Sequence, residues 1–197
     1  MGREELFKFL LRESSGTYVE IGTCWGGFAE FLLLQTPVKK LICVDPYKQF
    51  PQEVYKDALN TIPQDELNKK YEIVLNRLKT KASQTNKSVQ IVRDTSYEAA
   101  KLVEDNLDFV YIDGNHHHRE VLKDLICWWP KIKKGGLLCG DDVEDIKLPH
   151  TDGDLFFEHQ PGSFGVYGVA TALRDFAKCV PDFRYMIDGN QFYAYKN

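Results

Sequence analysis

Asp113, the histidines His116 to His118 and the Asp141–Asp142 doublet are the residues whose types could do chemistry together in this chain. "YIDGNHHHREVLKDL" (Tyr111 to Leu125) sets Asp113 and three consecutive histidines between an apolar run and a helix-like pattern. "GGLLCGDD" ends another apolar run on the paired acids. Carboxylates gathered in one place repel one another unless they are protonated, paired or bridged by a cation. Oxygen ligands of this kind suit Mg²⁺, Ca²⁺ or Mn²⁺ better than zinc. An imidazole beside them, with an ordinary pKa of about 6.5, can accept a proton at neutral pH. Each aspartate alone is also ordinary cap-and-turn chemistry, so only convergence would make a site.

A second group of residues lies near the start. "VEIGTCWGGF" (Val19 to Phe28) reads as a strand, a turn carrying Gly22, Gly26 and Gly27, and a helix. Glycines there permit positive φ and close backbone approach to a ligand at a helix N-terminus. The spacing G-x-x-x-G-G is not the dinucleotide fingerprint, and no G-K-[ST] follows, so a P-loop is excluded. A tight structural turn is the plain alternative. Asp45 ends the next apolar run, "ICVDPY", 45 − 22 = 23 positions after Gly22. An acid at about 20 positions commonly accepts hydrogen bonds from ribose hydroxyls, though strand-terminal Asp is also common in turns. In "VRDTSYE", Asp94, Thr95 and Ser96 are suited to cap the following helix, and contact with a nucleoside base is compatible with capping.

Such residues need a sheet to align them. The runs "TYVEIG", "KLICVD", "VQIVRD", "LDFVYIDG" and "GGLLCGDD" alternate with helical patterns such as "GGFAEFLLLQ", "SYEAAKLVED" and "REVLKDLICWW". Strand–helix alternation with nearly continuous apolar strands predicts an α/β fold whose parallel sheet is covered on both faces. "FRYMIDGNQFYAYKN" carries a hairpin signature at its DG. The expectation is a doubly wound, mostly parallel Rossmann-like sheet closed by a C-terminal antiparallel hairpin. Adjacent parallel strands would then bring Asp113 and Asp141–Asp142 to one rim, where open α/β sheets bind ligands. One domain spanning 1–197 is expected, with a leading helix in 1–16, an insert at 47–87 after the second strand, and an active-site lid loop at 143–166. The insert contains a helical pattern, "QDELNKKYEIVLNRLKTKA". His150 and His159 fall in the lid segment and are expected to face solvent. Trp128 and Trp129 follow Val121, Leu122, Leu125 and Ile126 at helical spacing and are expected in the core. Asp124 is expected to face solvent or brace its helix.

Taken together, these residues resemble a class I S-adenosylmethionine-dependent methyltransferase. "VEIGTCWGG" is similar to that family's acid-x-Gly-x-x-x-Gly loop, Asp45 to its ribose-binding acid, and the C-terminal hairpin to its antiparallel seventh strand. The stretch Ile112 to Asp142 further resembles a metal-dependent O-methyltransferase subgroup of the macrocin type, with its I-D-G-x-H, D-L and G-G-x-x-x-x-D-D pattern. The resemblance implies S-adenosylmethionine as cofactor. It places Glu20, Gly22, Thr23 and Gly26 around the methionine part, Asp45 at the ribose, and Asp94, Thr95 and Ser96 near the adenine, with Asp113 bordering the donor. It also implies Asp113, Asp141 and Asp142 as ligands of Mg²⁺ or another divalent cation, and His116 as general base. His117 and His118 stand where the subgroup more often has Ser and an aromatic residue.

Composition narrows the partners. With 197 residues, 43% of them hydrophobic, a single globular core is expected. A net charge of −4 argues against a nucleic-acid surface. The basic stretch Lys79 to Lys87 reads as a solvated helix end. Five scattered cysteines without a C-x-x-C pair fit buried thiols in a reducing compartment. "MGREELFKFLL" is charged too early for a secretory signal, and no apolar run reaches the roughly 20 residues of a membrane span. A cytoplasmic protein acting on a small-molecule acceptor is the expectation; a homo-oligomer is compatible with the sequence. Two other classes fit part of the pattern. A mononuclear iron oxygenase could use Asp113 and His116 but leaves the glycine loop and Asp45 without a role. A non-catalytic nucleoside-binding protein could share the whole fold.

Overall fold

The computed structural model describes residues 2–51, 58–143, 155–160 and 163–197. Its main sheet has seven strands in the order β3-β2-β1-β4-β5-β9-β8. The parallel part comprises β1 (Thr17–Ile21), β2 (Lys40–Val44), β3 (Ser88–Val92), β4 (Leu107–Ile112) and β5 (Ile132–Gly140). The terminal hairpin, β8 (Tyr185–Asp188) and β9 (Gln191–Tyr195), joins through β9, which runs antiparallel to β5. This is the predicted doubly wound architecture with its antiparallel C-terminal hairpin.

The alternation of side chains along the strands divides the core between two faces. On one face, Tyr18, Leu41, Cys43, Phe109 and Tyr111 pack under α1 (Arg3–Leu11), α2 (Gly27–Gln35) and α3 (Gln64–Gln84). On the other, Val19, Ile21, Ile42, Val44, Val110 and Ile112 pack under α4 (Ser96–Leu102), α5 (His118–Trp128) and α6 (Val169–Cys179). β4 is buried at all six positions and apolar at five of them, the exception being Asp108, whose carboxylate accepts from Thr17 N at 2.7 Å and pairs with Lys133; β3, at the sheet edge, alternates. Trp128 and Trp129 sit in the second core, as their spacing predicts.

The helices follow the same logic, with two exceptions that matter for the site. The buried stripe of α3 runs Leu67, Lys70, Val74, Leu78, Ala82, and that of α5 runs Val121, Asp124, Leu125, Trp128. Lys70 and Asp124 thus occupy positions where helical periodicity calls for an apolar side chain. Of the two expectations for Asp124, facing solvent or bracing its helix, burial overturns the first: only 6% of it is exposed.

Where a lid loop is expected, at 143–166, a two-stranded antiparallel sheet forms, β6 (Leu155–Gln160) with β7 (Ser163–Tyr167). Most of the predicted lid, including His150, lies outside the described residues, as do the side chains of His159 and its aromatic neighbours. None of the five cysteines is in a disulfide, and Cys179 is exposed rather than buried. Among the described residues no helix is long and apolar enough to cross a membrane.

Candidate active site

The sheet order reverses between β1 and β4, and that reversal opens a crevice beyond their carboxyl ends. Gly22 directly follows β1 and Asp113 directly follows β4, the two tips joined where Asp113 N donates to Ile21 O at 2.8 Å. Gly22 has φ +87°, and a Cβ there would run into the Asp113 carbonyl. Glycine is therefore required by the closeness of the two strand tips as well as by its left-handed backbone. Gly26, at φ +68°, precedes the first residue of α2, and its N–H donates to Thr23 O at 2.6 Å, closing the turn.

A cavity of about 670 Å³ runs from this turn along the rim. Gly22, Asp45, Thr95, Ser96 and Asp113 line it, so five of the expected donor-site residues meet in one space. Glu20, Thr23, Gly26 and Asp94 do not line it. Asp94 accepts from Thr95 N at 2.7 Å, and Thr95 Oγ1 accepts from Glu98 N at 3.4 Å as the N-cap of α4. The capping role expected of this segment is thus present in Thr95.

Glu20 lies directly behind the turn, 2% exposed. Burial pushes its carboxyl up to about 8, opposed by the Thr23 hydroxyl and reinforced by Asp113 and Asp45. Glu20 Oε2 and Thr23 Oγ1 are buried and make no hydrogen bond within the described structure. Two such orphans are costly unless a polar ligand reaches them.

Asp45 is held from both sides. Its Oδ2 accepts from Cys24 N at 2.7 Å and its Oδ1 from Tyr47 N at 2.8 Å. Burial raises its pKa, while those two N–H groups and the nearby Lys70 and Arg93 pull it back. Each oxygen keeps a lone pair for a further donor.

Much of the rest of the cavity wall comes from the insert after the second strand: Tyr47, Phe50, Asn60, Ile62, Leu67 and Lys70. Reciprocal hydrogen bonds, Phe50 N to Asn60 Oδ1 at 2.7 Å and Asn60 Nδ2 to Phe50 O at 2.9 Å, tie Phe50 to Asn60 within that segment. Lys70 is 5% exposed; its Nζ lies 3.0 Å from Cys24 Sγ and 4.7 Å from the Trp25 ring centre. Across the cavity, Ser96 Oγ accepts from Trp128 Nε1 at 2.8 Å and contacts Asp124, whose carboxyl burial pushes up to about 7. The signal that could have found Lys70 and Asp124 was available: each breaks an apolar stripe.

The acids and histidines resolve into distinct roles. One oxygen each of Asp113 and Asp142 and one ring nitrogen of His116 lie within 4.8 Å of one another. His116 Nε2 is 3.6 Å from Asp113 Oδ1 and 3.3 Å from Asp142 Oδ2. Burial raises the Asp113 carboxyl, and the His116 hydrogen bond is the first of the influences opposing it. His118 turns away, its Nε2 3.0 Å from Asp175 Oδ2 on α6, and His117 occupies the N-cap position of α5. Asp141 does not join the group. Its Oδ2 is 3.1 Å from Arg3 Nη1, and its Oδ1 accepts from Asp142 N at 2.8 Å and from Gln191 Nε2. The doublet is split because consecutive residues leaving a strand point to different sides, and Asp142 adopts φ +60°.

A family model described as a methyltransferase domain matches residues 19–143, from the first strand through the acidic doublet. The chain belongs to this methyltransferase family. Among its relatives is an uncharacterized mimivirus protein, R132 of Acanthamoeba polyphaga mimivirus, 29% identical over 136 residues covering 66% of this chain and 53% of that protein. The chain therefore spans about half the length of that curated relative. A Streptococcus mutans protein solved in complex with SAH shares the fold at TM-score 0.59 and 14% identity, covering 100% of this chain and 99% of that one. A TDP-rhamnose 3'-O-methyltransferase of calicheamicin biosynthesis, in its apo form, aligns at TM-score 0.60 and 13% identity, covering 98% of this chain and 77% of that one. These likenesses establish a class I methyltransferase fold for the chain. Within it, the match to the family model takes in Gly22, Asp45, Asp113 and His116.

Proposed function

We propose that this methyltransferase-family chain transfers a methyl group from S-adenosylmethionine to a hydroxyl of a small acceptor, a sugar or a natural product, with help from a divalent cation. The observation that carries the reading is the position of Asp113. It belongs at once to the wall of the 670 Å³ cavity and to the Asp113–His116–Asp142 group, so a donor-sized space and a proton-handling group share one residue.

In this reading the turn at Gly22 seats the methionine end of the donor, with buried Glu20 and Thr23 behind it. Asp45 takes the ribose hydroxyls on its free lone pairs, and Thr95 and Ser96 face the base. The donor supplies an electrophilic methyl on a sulfonium, so the chain's main contribution is alignment, worth up to roughly 7–11 kcal/mol when reacting groups are fully oriented. The donor set of the acidic group fits a divalent cation: two carboxylates, both more than two-thirds buried, lie within 3.6 Å of the same imidazole nitrogen. Asp113 and Asp142 would hold the cation, which would lower the pKa of a coordinated hydroxyl. The His116 imidazole accepts the proton of the attacking hydroxyl. The insert residues Phe50, Ile62 and Leu67 form the apolar wall against which an acceptor can pack.

The reading is tested by calorimetric titration of S-adenosylmethionine, with and without Mg²⁺ or Mn²⁺, followed by a methyl-transfer assay against a panel of hydroxylated acceptors. Donor binding with cation-stimulated transfer supports it. No donor binding, with oxygen uptake on adding ferrous iron, would favour an iron oxygenase built on the same three ligands. Donor binding without transfer to any acceptor would favour a nucleoside-binding protein.

A further inference from the structure

We infer that Arg3 is a positioning residue that acts as an internal counter-cation, withholding Asp141 from the cation site and so setting that site's charge and affinity. The inference rests on the cation reading proposed above and concerns a residue outside the matched segment.

Asp113 faces two ways. Its Oδ1 looks toward His116 Nε2 at 3.6 Å, while its Oδ2 looks toward Arg3 Nη1 at 3.8 Å. The same Arg3 nitrogen lies 3.1 Å from Asp141 Oδ2. The guanidinium therefore stands between Asp113 and Asp141, on the side of Asp113 away from His116. A positive charge there satisfies the repulsion between these two carboxylates without any bound ion. It leaves Asp142, not Asp141, as the second carboxylate facing the imidazole.

The arrangement is built into the fold. Helix α1 is docked by buried Leu6, Phe7 and Leu11, and the Phe7 ring packs 5.3 Å from both Phe28 and Tyr111. That docking delivers Arg3 over the Phe28 ring, 5.1 Å from its centre. Asp141 is further fixed by Gln191, which donates to its Oδ1 and accepts from the Tyr111 hydroxyl at 2.8 Å. Arg3 and Gln191 thus draw Asp141 toward α1 and β9, while the Tyr111 hydroxyl on β4 and the N–H of Asp142 donate to it at 3.3 and 2.8 Å. A site with Asp141 in its set would carry one more negative charge and one more oxygen donor. Arg3 opposes both, the first through its own charge and the second through its hydrogen bond.

The test is cation binding to the metal-stripped chain saturated with SAH, by electron paramagnetic resonance with Mn²⁺ and calorimetry with Mg²⁺. Removing one nearby charge and releasing one carboxylate should tighten binding in Arg3→Gln by roughly tenfold. Arg3→Lys, which keeps the charge, should stay close to the unmodified chain. The gain should vanish in the double variant Arg3→Gln/Asp141→Asn, because the released carboxylate is gone. Unchanged or weaker binding in Arg3→Gln, or a full gain retained in the double variant, overturns the inference while leaving the cation site intact. An unmodified chain that binds neither ion overturns the cation reading itself. Thermal melting of each variant separates lost folding from altered affinity.

Discussion

The backbone N–H of Cys24 donates to Asp45 Oδ2 at 2.7 Å, clasping the turn after β1 to the tip of β2. The turn and the acid that flank the cavity are therefore one rigid unit, with Asp45 already oriented before any ligand arrives. Asp45→Asn would place an amide donor against one of two backbone N–H groups, Cys24 or Tyr47, and lose a charged acceptor. Hydrogen bonds to charged groups contribute about 1.5–3 kcal/mol, so SAH binding should weaken roughly 10- to 100-fold by calorimetry. Binding within twofold of the unmodified chain would remove Asp45 from the ribose role.

Gly22 is constrained by structure before ligand. At φ +87°, with the Asp113 carbonyl in the path of any Cβ, Gly22→Ala should strain the β1–β4 junction. Backbone strain and overpacking together predict a loss of roughly 2–5 kcal/mol in denaturant unfolding of the ligand-free chain. A variant that folds with unchanged stability and merely fails to bind SAH would mean the glycine serves the ligand alone.

The sheet was legible because its signal is collective. Five apolar runs alternating with helical stripes fix the order, and Asp45 and Asp113 follow as strand-terminal residues. Which acid of the Asp141–Asp142 doublet faces His116 was not legible, since it depends on φ +60° at Asp142 and on Arg3 arriving from the far end of the chain. Lys70 and Asp124 were visible as misfits in their stripes, but periodicity alone does not say what a misfit faces. The β6–β7 pair was missed although "LFFEHQPGSFGVY" carries a Pro-Gly turn signal between two β-prone runs.

The three consecutive histidines should separate cleanly by experiment. His116 lies 3.3 Å from Asp142 and 3.6 Å from Asp113, so His116→Ala should lower methyl transfer by about 10²- to 10⁴-fold, the span of general-base contributions. SAH affinity should be nearly unchanged. His118 pairs with the helix side chain Asp175 at 3.0 Å, away from the acidic group, and His118→Ala should leave transfer intact and cost under about 1 kcal/mol of stability. Equal losses of transfer in both variants would dissolve the assignment of the base to His116.

Glu20 predicts how stability depends on pH. Burial holds its folded-state carboxyl up to about 8, whereas the unfolded chain's glutamates titrate at about 4.3. Between those values the folded chain retains a proton that the unfolded chain has released. Stability must therefore fall as pH rises through that window and level off above it. One such group contributes a slope of at most about 1.4 kcal/mol per pH unit. Asp124, raised to about 7 by burial, adds a similar slope over a window that closes earlier, so the unmodified chain should decline more steeply below pH 7 than above it. Glu20→Gln, which stays neutral, should remove the decline between about pH 7 and 8 and leave the part owed to Asp124. Urea unfolding at half-unit pH intervals reads both slopes. SAH should flatten the Glu20 part as well if a cationic amino group settles against that carboxylate and favours its ionised form. An unliganded chain whose stability is level from pH 5 to 8 would mean that Glu20 is ionised in the fold, and that some group not facing it now compensates its charge.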